Sequence, residues 1–329
     1  MLCYQDKLYG KIKIKKPILI ELINSPSLQR LKGVDQAGYS KPYFPGSYSR
    51  FEHSLGVFAL LKKFNASLEE QIAGLIHDVS HTSFSHAIDY ALSESSGKRQ
   101  DYQDKIFKDF IKNSEIPKIL KKYNFDVDFI LDQKNFPLLE RPLPEVCADR
   151  LDYSMRTGVV YGELKKEEVK YFLENLFIKD KRWVFKNKKS AKKFAYFFLK
   201  INRKWYSSEL SALMFQSTGQ LLKYALKKKY ISMRDLYLTD KIVLKKIKKY
   251  LPFDKKLALL FSIMERKVPF KIDPKDYDVL VFCKSRAVDP LFLDNKNKKI
   301  YSLSSKEKGF QKILEKELKP KKYFIKWLI

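Results

Sequence analysis

The sequence predicts a mainly α-helical protein that ends in a small α+β module. Ser67 and Glu70 have the spacing of a helix-capping box, and they open "LEEQIAGLIHDV", where apolar residues recur at helical spacing. The segment "PEVCADRLDYSMRTG" starts after Pro144 and stops at Gly158, which predicts a helix of about three to four turns. Near the C-terminus, "YDVLVFCKS" and "YFIKWLI" have a β-rich composition, and "DNKNKK" has that of a hairpin turn.

The predicted elements divide the chain into a larger helical part and a smaller tail. An apolar run over residues 53–65 predicts a helix, and the segment 190–250 is helical and rich in lysine. The polar run "SHTS" at residues 80–83 favours a helix end, so we expect a break there. We therefore expect residues 1–249 to form the main domain and residues 250–329 to form the α+β module.

Composition is typical of a folded protein from a reducing compartment. Hydrophobic residues make up 45% and charged residues 32% of the chain, which argues against disorder. No apolar run approaches the roughly 18 residues that a membrane span needs, and the N-terminal "MLCYQDKLYGKIKIKK" lacks an apolar signal segment. The three cysteines are scattered, which argues against a disulfide framework. We expect a cytoplasmic protein with no membrane contact.

The net charge of +28 favours partners that carry phosphate. The excess is almost all lysine and is spread along the whole chain. Such runs are most often solvated faces, so the charge predicts non-specific nucleic-acid binding at most.

Three of the four histidines lie in "LIHDVSHTSFSH", residues 75–86, beside Asp78. A divalent ion that activates water needs mixed nitrogen and oxygen ligands, which imidazole and carboxylate groups provide. His77 and Asp78 fall in the last turn of the helix that Ser67 opens, next to the expected break, where both can reach one ion. The missing ligands must come from elsewhere, and His53 or a carboxylate of a later helix are the candidates.

That later helix carries a polar stripe in an otherwise apolar segment. Its members, at i, i+3, i+4 and i+7, are Asp149, Asp152, Tyr153 and Arg156. Exposed ion pairs are one explanation for the stripe. Its joint appearance with the histidine motifs favours a metal site.

Taken in order, these motifs resemble the "H…HD…D" signature of the HD-domain metal-dependent phosphohydrolases. "LQRLKGVDQAG", "FPGSYSRFEHSLGV", "QIAGLIHDVSHTSFSHAIDY" and "ADRLDY" are similar to segments of the deoxynucleoside-triphosphate triphosphohydrolase branch. The resemblance covers roughly residues 25–157. It implies an all-α HD-type catalytic core, a divalent metal cofactor, a nucleotide substrate and a homo-oligomer as the candidate assembly.

The resemblance also implies roles for individual residues. The implied metal ligands are His53, His77, Asp78 and Asp149. The implied catalytic groups are His81 and His86, which match histidines that line the phosphates, and Asp89, which matches a carboxylate that orients the proton-transfer histidine. The implied substrate contacts are Gln36, Arg50, Arg150 and Tyr153. Such donors stabilise charge that develops on phosphate oxygens.

Two positions depart from the pattern of that branch. The branch carries a His-Glu pair for proton transfer, whereas this chain has Gln103-Asp104 in "DYQDKIF". Glutamine cannot exchange a proton at neutral pH, so either His81 or His86 takes over or the leaving group needs less help. Thr157 replaces a sugar-sensing carboxylate, which leaves the sugar preference open.

The most concrete expectation is hydrolysis of a (deoxy)nucleoside triphosphate to nucleoside and triphosphate, by metal-activated water at the α-phosphorus. Mn, Fe, Mg, Co and Zn are all candidate metals. The alternatives on the same scaffold are a phosphodiesterase or nuclease, and a degenerate protein that binds nucleotide or nucleic acid without turnover. The H-x-x-x-H spacing of His77 and His81 adds a zinc peptidase as a further alternative.

Overall fold

The N-terminal part of the chain is a two-stranded hairpin followed by helices. The computed structural model describes residues 1–92 and 97–329. The first elements are β1 (Leu2–Asp6), β2 (Gly10–Ile14), α1 (Pro17–Asn24), α2 (Pro26–Arg30), α3 (Arg50–Lys63), α4 (Leu68–Ile76), α5 (Tyr102–Lys112), α6 (Ile116–Lys122), α7 (Val127–Leu131), α8 (Ala148–Val160) and α9 (Lys166–Glu174). Short 3₁₀ helices lie at Leu31–Gly33, Ser85–Tyr90 and Gln133–Asn135.

The remainder of the chain mixes helices with short strands. Its elements are β3 (Leu176–Lys179), β4 (Arg182–Phe185), α10 (Lys188–Ile201), α11 (Glu209–Lys227), α12 (Asp240–Lys248), α13 (Lys255–Met264), β5 (Phe270–Ile272), β6 (Val279–Cys283), β7 (Leu291–Leu293), β8 (Ile300–Ser302), α14 (Leu303–Lys306), α15 (Lys308–Glu317) and β9 (Lys321–Trp327). A π-helix at Asn202–Tyr206 extends α10, and a 3₁₀ helix lies at Met233–Tyr237.

Within the described ranges the strands form three small sheets. The first is the antiparallel hairpin of β1 and β2. The second has the order β3-β4-β7-β8, with β4 and β7 parallel and the other pairs antiparallel. The third has the order β5-β9-β6 and is antiparallel throughout.

The predicted fold class is confirmed: the protein is mainly α-helical, and its C-terminal part contains a small α+β arrangement. The segments predicted to be β-rich form β6 and β9, and "DNKNKK" connects the antiparallel strands β7 and β8. The sequence did not predict the hairpin β1–β2 or the strands β3 and β4. The division at residue 250 stays a prediction, and β4 pairs with β7 across it.

Local structure at α4 differs from the predicted capping box. The Ser67 hydroxyl accepts a hydrogen bond from the Glu70 amide, as predicted. The Glu70 carboxylate instead accepts from the backbone amides of Leu138 and Leu139, at 2.7 and 3.1 Å. Only half of the box forms, because that carboxylate satisfies amides of a distant segment.

Helix α3 packs against both α4 and α8 and so brings the histidine and aspartate motifs together. Helix α4 ends at Ile76, so His77 and Asp78 lie just beyond its last turn rather than within it. Among the described residues, no helix combines the length and the apolar character that a membrane crossing requires.

Candidate metal centre and active-site cavity

Helix α3 positions the first histidine of the site. Ser49 and Glu52 form a complete capping box, in which each side chain accepts from the other's backbone amide and fixes the helix start. His53 lies one turn further on and is 1% exposed. Its Nδ1 is 2.8 Å from Asp152 Oδ2, and its Nε2 is 2.9 Å from Asp149 Oδ1.

The end of α4 positions the second histidine. His77 Nδ1 lies 2.8 Å from the carbonyl oxygen of Gly74. Because a carbonyl only accepts, the ring proton resides on Nδ1 and leaves Nε2 as a free electron-pair donor. That Nε2 lies 3.2 Å from His53 Nε2 and 3.5 Å from Asp149 Oδ1.

The resulting cluster fits a divalent metal ion. Ligand atoms of His53, His77 and Asp149 all lie within 4.8 Å of one another. Asp78 adjoins them, with Oδ1 3.5 Å from His77 Nε2, while its Oδ2 accepts from Arg50 at 2.6 Å. The four residues predicted as ligands are therefore brought together. The hydrogen bonds behind both histidines are the type that orients metal-binding imidazoles.

Hydrogen bonds within the cluster set the charges of its members. Burial lowers the pKa of His53, but its hydrogen bonds to Asp149 and Asp152 outweigh burial and raise the pKa to about 9. Burial raises the pKa of Asp149, yet its hydrogen bonds with His53 and His77 hold that pKa well below the usual value. The Asp149 carboxylate stays ionised at neutral pH. His53 is protonated in the absence of a metal, so it would have to lose that proton to act as a ligand.

A buried ion-pair network lies behind His53. Both oxygens of Asp152 accept from Arg156 of the same helix, each at 2.9 Å. Arg156 also pairs with Asp6 of β1, at 3.0 Å. Gly56 of α3 makes room for this network, because a Cβ there would lie 2.1 Å from both Arg156 Nη2 and Asp152 Oδ1. The polar stripe of α8 is thus a buried network rather than a set of exposed pairs.

A cavity of about 600 Å³ opens beside the metal cluster. Its lining contains His77, Asp78 and Asp149 together with several cations. It also contains seven aromatic residues, which are Phe44, Tyr48, Tyr153, Tyr161, Trp205, Tyr206 and Phe215. Volume and lining are those of a small-molecule site that binds a molecule with both charged and apolar parts.

The four predicted substrate contacts all line this cavity. Arg50 is fully engaged with protein groups, because besides Asp78 it donates to Ser85 Oγ and to the carbonyl oxygen of Gln36, at 2.7 and 3.1 Å. The Gln36 side-chain oxygen is buried and has no hydrogen-bond partner among the described residues. Gln36 lines the cavity, so this oxygen is an unsatisfied acceptor in the cavity wall.

The other two predicted contacts lie on α8. Arg150 pairs with Glu140 at 2.9 Å and donates to the carbonyl oxygen of Arg141 at 2.6 Å. The ring of Tyr153 contacts those of His53 and Tyr206, with centroids 6.4 and 5.5 Å apart. Tyr153 therefore connects the metal cluster to the aromatic part of the cavity.

The remaining two histidines lie side by side, with ring centroids 5.1 Å apart. His81 Nε2 is 3.4 Å from Asp78 Oδ1 and forms no hydrogen bond within the described part of the chain. His86 Nδ1 is 3.4 Å from Asp89 Oδ2. Burial, followed by the charge of Arg50, lowers the pKa of both histidines well below the usual value, so both imidazoles are neutral at pH 7.

The two departures from the resembled pattern also face the cavity. Gln103 donates to Asp104 Oδ1 at 3.2 Å, and its own side-chain oxygen is buried without a partner among the described residues. The Thr157 hydroxyl lies 3.0 Å from the hydroxyls of both Tyr48 and Tyr206. These hydroxyls satisfy one another at the position predicted to contact the sugar.

The sequence did not single out several residues of the site. Lys284 and Arg286, which follow β6, line the cavity although they lie far along the chain. With lysine this abundant, composition gave no signal for Lys284. The buried role of Asp6 was equally invisible, because its partner Arg156 is 150 positions away in the sequence.

The zinc-peptidase alternative lacks structural support. It requires His77 and His81 on one continuous helix, and α4 ends at Ile76 before either of them. Metal-dependent hydrolysis of a phosphate compound is the class of chemistry that the cluster and the cavity support.

Comparison with known proteins agrees with this class. The HD domain family model matches residues 50–155. The chain is 37% identical over 304 residues to the uncharacterized protein YdhJ of Bacillus subtilis, and the match covers 92% of each chain. It is also 37% identical over 175 residues to the metal-dependent phosphohydrolase cns2 of Cordyceps militaris, which covers 52% of this chain and 49% of that protein.

A more distant match is the deoxynucleoside triphosphate triphosphohydrolase SAMHD1 of Mus musculus. It is 33% identical over 158 residues, which covers 40% of this chain and 24% of that protein. The chain belongs to the HD-domain superfamily of metal-dependent phosphohydrolases. The metal cofactor predicted from the sequence is consistent with this membership and with the His/Asp cluster.

Replacing Gly56 with alanine tests whether the buried network supports the metal cluster. The new Cβ must displace the Asp152–Arg156 pair, so we expect the free energy of unfolding to fall by about 1–3 kcal/mol. We also expect a smaller stabilisation by added Mn²⁺, since His53 loses its support. Urea unfolding with and without Mn²⁺ measures both effects.

Gly309→Ala is the matched control, because an added Cβ at this exposed position of α15 meets no atom within 4 Å. Its stability should stay the same or rise by up to about 1 kcal/mol. If Gly56→Ala and Gly309→Ala have the same stability and the same response to Mn²⁺, the close approach at Gly56 does not support the metal cluster.

Proposed function

We propose that the protein hydrolyses (deoxy)nucleoside triphosphates to nucleoside and triphosphate, with water attacking the α-phosphorus. The observation that supports this most is the cavity of about 600 Å³, which exposes the metal cluster, several cations and an aromatic surface to one ligand. Cations suit a phosphate chain, and aromatic rings suit a nucleoside. The similarity to a deoxynucleoside triphosphate triphosphohydrolase points the same way.

We assign His53, His77, Asp78 and Asp149 as the metal ligands. A divalent ion bound by them lowers the pKa of its water and offsets phosphate charge. The chain itself fixes the ligands: Asp152 holds His53 through Nδ1, and Arg50 holds Asp78. This fixed geometry reduces the reorganisation that the reaction requires.

The proposed reaction forms a bond between the water oxygen and the α-phosphorus and breaks the bond from that phosphorus to the 5′ oxygen. The 5′ oxygen then takes up a proton. We assign this transfer to the pair of His86, which lines the cavity, and Asp89, because their side chains lie 3.4 Å apart. Burial raises the pKa of Asp89 to about 7, so near neutral pH the Asp89 carboxyl is partly protonated and supplies the proton through the neutral His86 ring. We assign His81 to phosphate contact through its ring N–H.

We assign the nucleoside to the aromatic part of the cavity. Gln36 offers its free oxygen to a sugar hydroxyl, and Tyr153 lies between the sugar and the metal cluster. Thr157 supplies no charge that could select a sugar. We therefore propose that ribonucleotides and deoxyribonucleotides are both accepted.

Replacing His77 or Asp149 with alanine should remove the bound metal and reduce turnover to background, while the helical circular dichroism is retained. Two measurements test this. The first is the metal content of each variant, and the second is the hydrolysis of a panel of nucleotides with Mn, Fe, Mg or Co, with the products resolved by chromatography. Asp128→Ala is the matched control, because that side chain is 84% exposed and lies outside the cavity.

The panel also separates the alternatives. Full metal occupancy in both ligand variants would disprove the ligand assignment. Cleavage of phosphodiesters but not of triphosphates would favour the phosphodiesterase or nuclease, and nucleotide binding without turnover would favour the degenerate protein.

Gln103 occupies the position of the proton-transfer histidine in the branch that the sequence resembles. A positioned general acid contributes about 10²–10⁴-fold in rate, and Asp104 is already within hydrogen-bond distance of the side chain at this position. Gln103→His should therefore raise triphosphohydrolase turnover, whereas Gln133→His, at the exposed rim of the cavity, should not. Steady-state kinetics of both variants tests this.

The same kinetics should distinguish the two native histidines. We expect His86→Ala to lose more activity than His81→Ala, because only His86 is paired with Asp89. Equal, small losses in both variants would mean that neither histidine transfers the proton.

A further inference from the structure

The segment that follows β6 places two cations on one side of the chain. Burial alternates along it: Cys283, Ser285 and Ala287 are buried, whereas Lys284 and Arg286 are partly exposed. An extended chain points alternate side chains in opposite directions. Lys284 and Arg286 therefore share one face, and both line the cavity.

Neither cation has an acidic partner among the residues that the structure describes. Across residues 1–92 and 97–329, Lys284 Nζ makes no hydrogen bond or ion pair, and Arg286 pairs with no carboxylate. The Arg286 guanidinium donates to Gln100 Oε1 at 2.8 Å and to the carbonyl oxygen of Lys284 at 3.4 Å. Cavity arginines nearer the metal cluster are paired, Arg50 with Asp78 and Arg150 with Glu140.

Leaving a cation partly buried without a counter-charge is unfavourable. Burial, then the charge of Arg286, lowers the pKa of Lys284 to about 8. This unfavourable burial of positive charge indicates that Lys284 and Arg286 form a site for an anion. Both cations also lower the pKa of His86, which places them near the proposed proton-transfer group.

The segment is held firmly in place. Asn202 is fully buried, and its Nδ2 donates to Ser285 Oγ at 3.0 Å. Its Oδ1 accepts from the Arg286 amide at 2.9 Å. Asn202 also begins the π-helix that carries Trp205 and Tyr206 to the cavity. One side chain thus fixes the two cations relative to the aromatic surface.

We infer that Lys284 and Arg286 form a second anion site, which binds the outer phosphates of a polyphosphate chain whose first phosphate lies at the metal cluster. The inference rests on the proposed function and specifies it, since it assigns triphosphate recognition to residues outside the HD motif. An arginine can grip two phosphate oxygens at once, and a lysine adds a mobile point charge.

Calorimetric titration of inorganic tripolyphosphate and orthophosphate into the metal-loaded protein, with Mg²⁺ in excess, tests the inference without a nucleotide. Lys284→Ala and Arg286→Ala should each weaken tripolyphosphate binding about tenfold or more and leave orthophosphate binding unchanged. Lys275→Ala, an exposed lysine outside the cavity, is the matched control and should bind like the wild type.

Unchanged tripolyphosphate binding in both variants would overturn the inference, and so would an equal loss for orthophosphate. If the variants lose tripolyphosphate as expected while no nucleoside triphosphate is hydrolysed by the wild type, the anion site stands and the proposed function fails.

The pH dependence provides an independent check. The charged groups that act on Lys284 are Arg286, Arg150, Asp104 and Glu140. Because only the protonated amine attracts a polyanion, wild-type affinity should be full below about pH 8 and fall above it. Lys284→Arg should remove that fall, since guanidinium stays charged. A fall that persists unchanged in this variant would contradict the role of Lys284.

Discussion

The buried network of Asp152, Arg156 and Asp6 is the constraint on which the candidate metal centre depends. Arg156 pairs with two carboxylates that are almost completely removed from solvent, and loss of one partner from such a pair commonly costs about 3–5 kcal/mol. The network joins α8 to the N-terminal hairpin. Because Gly56 has no side chain, α3 can approach the network closely. His53 is oriented by the same Asp152. The imidazole of a candidate metal ligand is therefore connected to a strand that lies outside the HD motif.

The cavity is likewise lined by residues from separate parts of the chain. The family match at residues 50–155 contains the proposed metal ligands and the neighbouring histidines. The π-helix and the segment after β6 supply aromatic rings and two cations that have no acidic partner among the described residues. Asn202 connects these two later elements by hydrogen bonds. In the proposed function, the metal ligands and some substrate contacts thus come from the matched range, and further substrate contacts come from later parts of the chain.

How far the sequence predicts this structure depends on how local each signal is. Helical periodicity is local, so α3, α4 and α8 were predicted, and scarce histidine made the metal cluster visible. Pairings between distant positions leave no such pattern. The Glu70 carboxylate binds amides of Leu138 and Leu139 instead of its own helix start, and Lys284 is hidden among many surface lysines. The strands β1 and β2 have five residues each, and the alternation in β2 contains only two apolar residues, Ile12 and Ile14, which is too few to predict a strand.

The central claim is that water attacks the α-phosphorus of a nucleoside triphosphate at the metal cluster. Hydrolysis in ¹⁸O-labelled water, followed by mass spectrometry of both products, tests it most directly. The expected result is one ¹⁸O atom in the released triphosphate and none in the nucleoside, with no label transfer in Asp149→Ala. Label in orthophosphate or pyrophosphate, with a nucleotide as the second product, would contradict the claim and place the attack at an outer phosphorus.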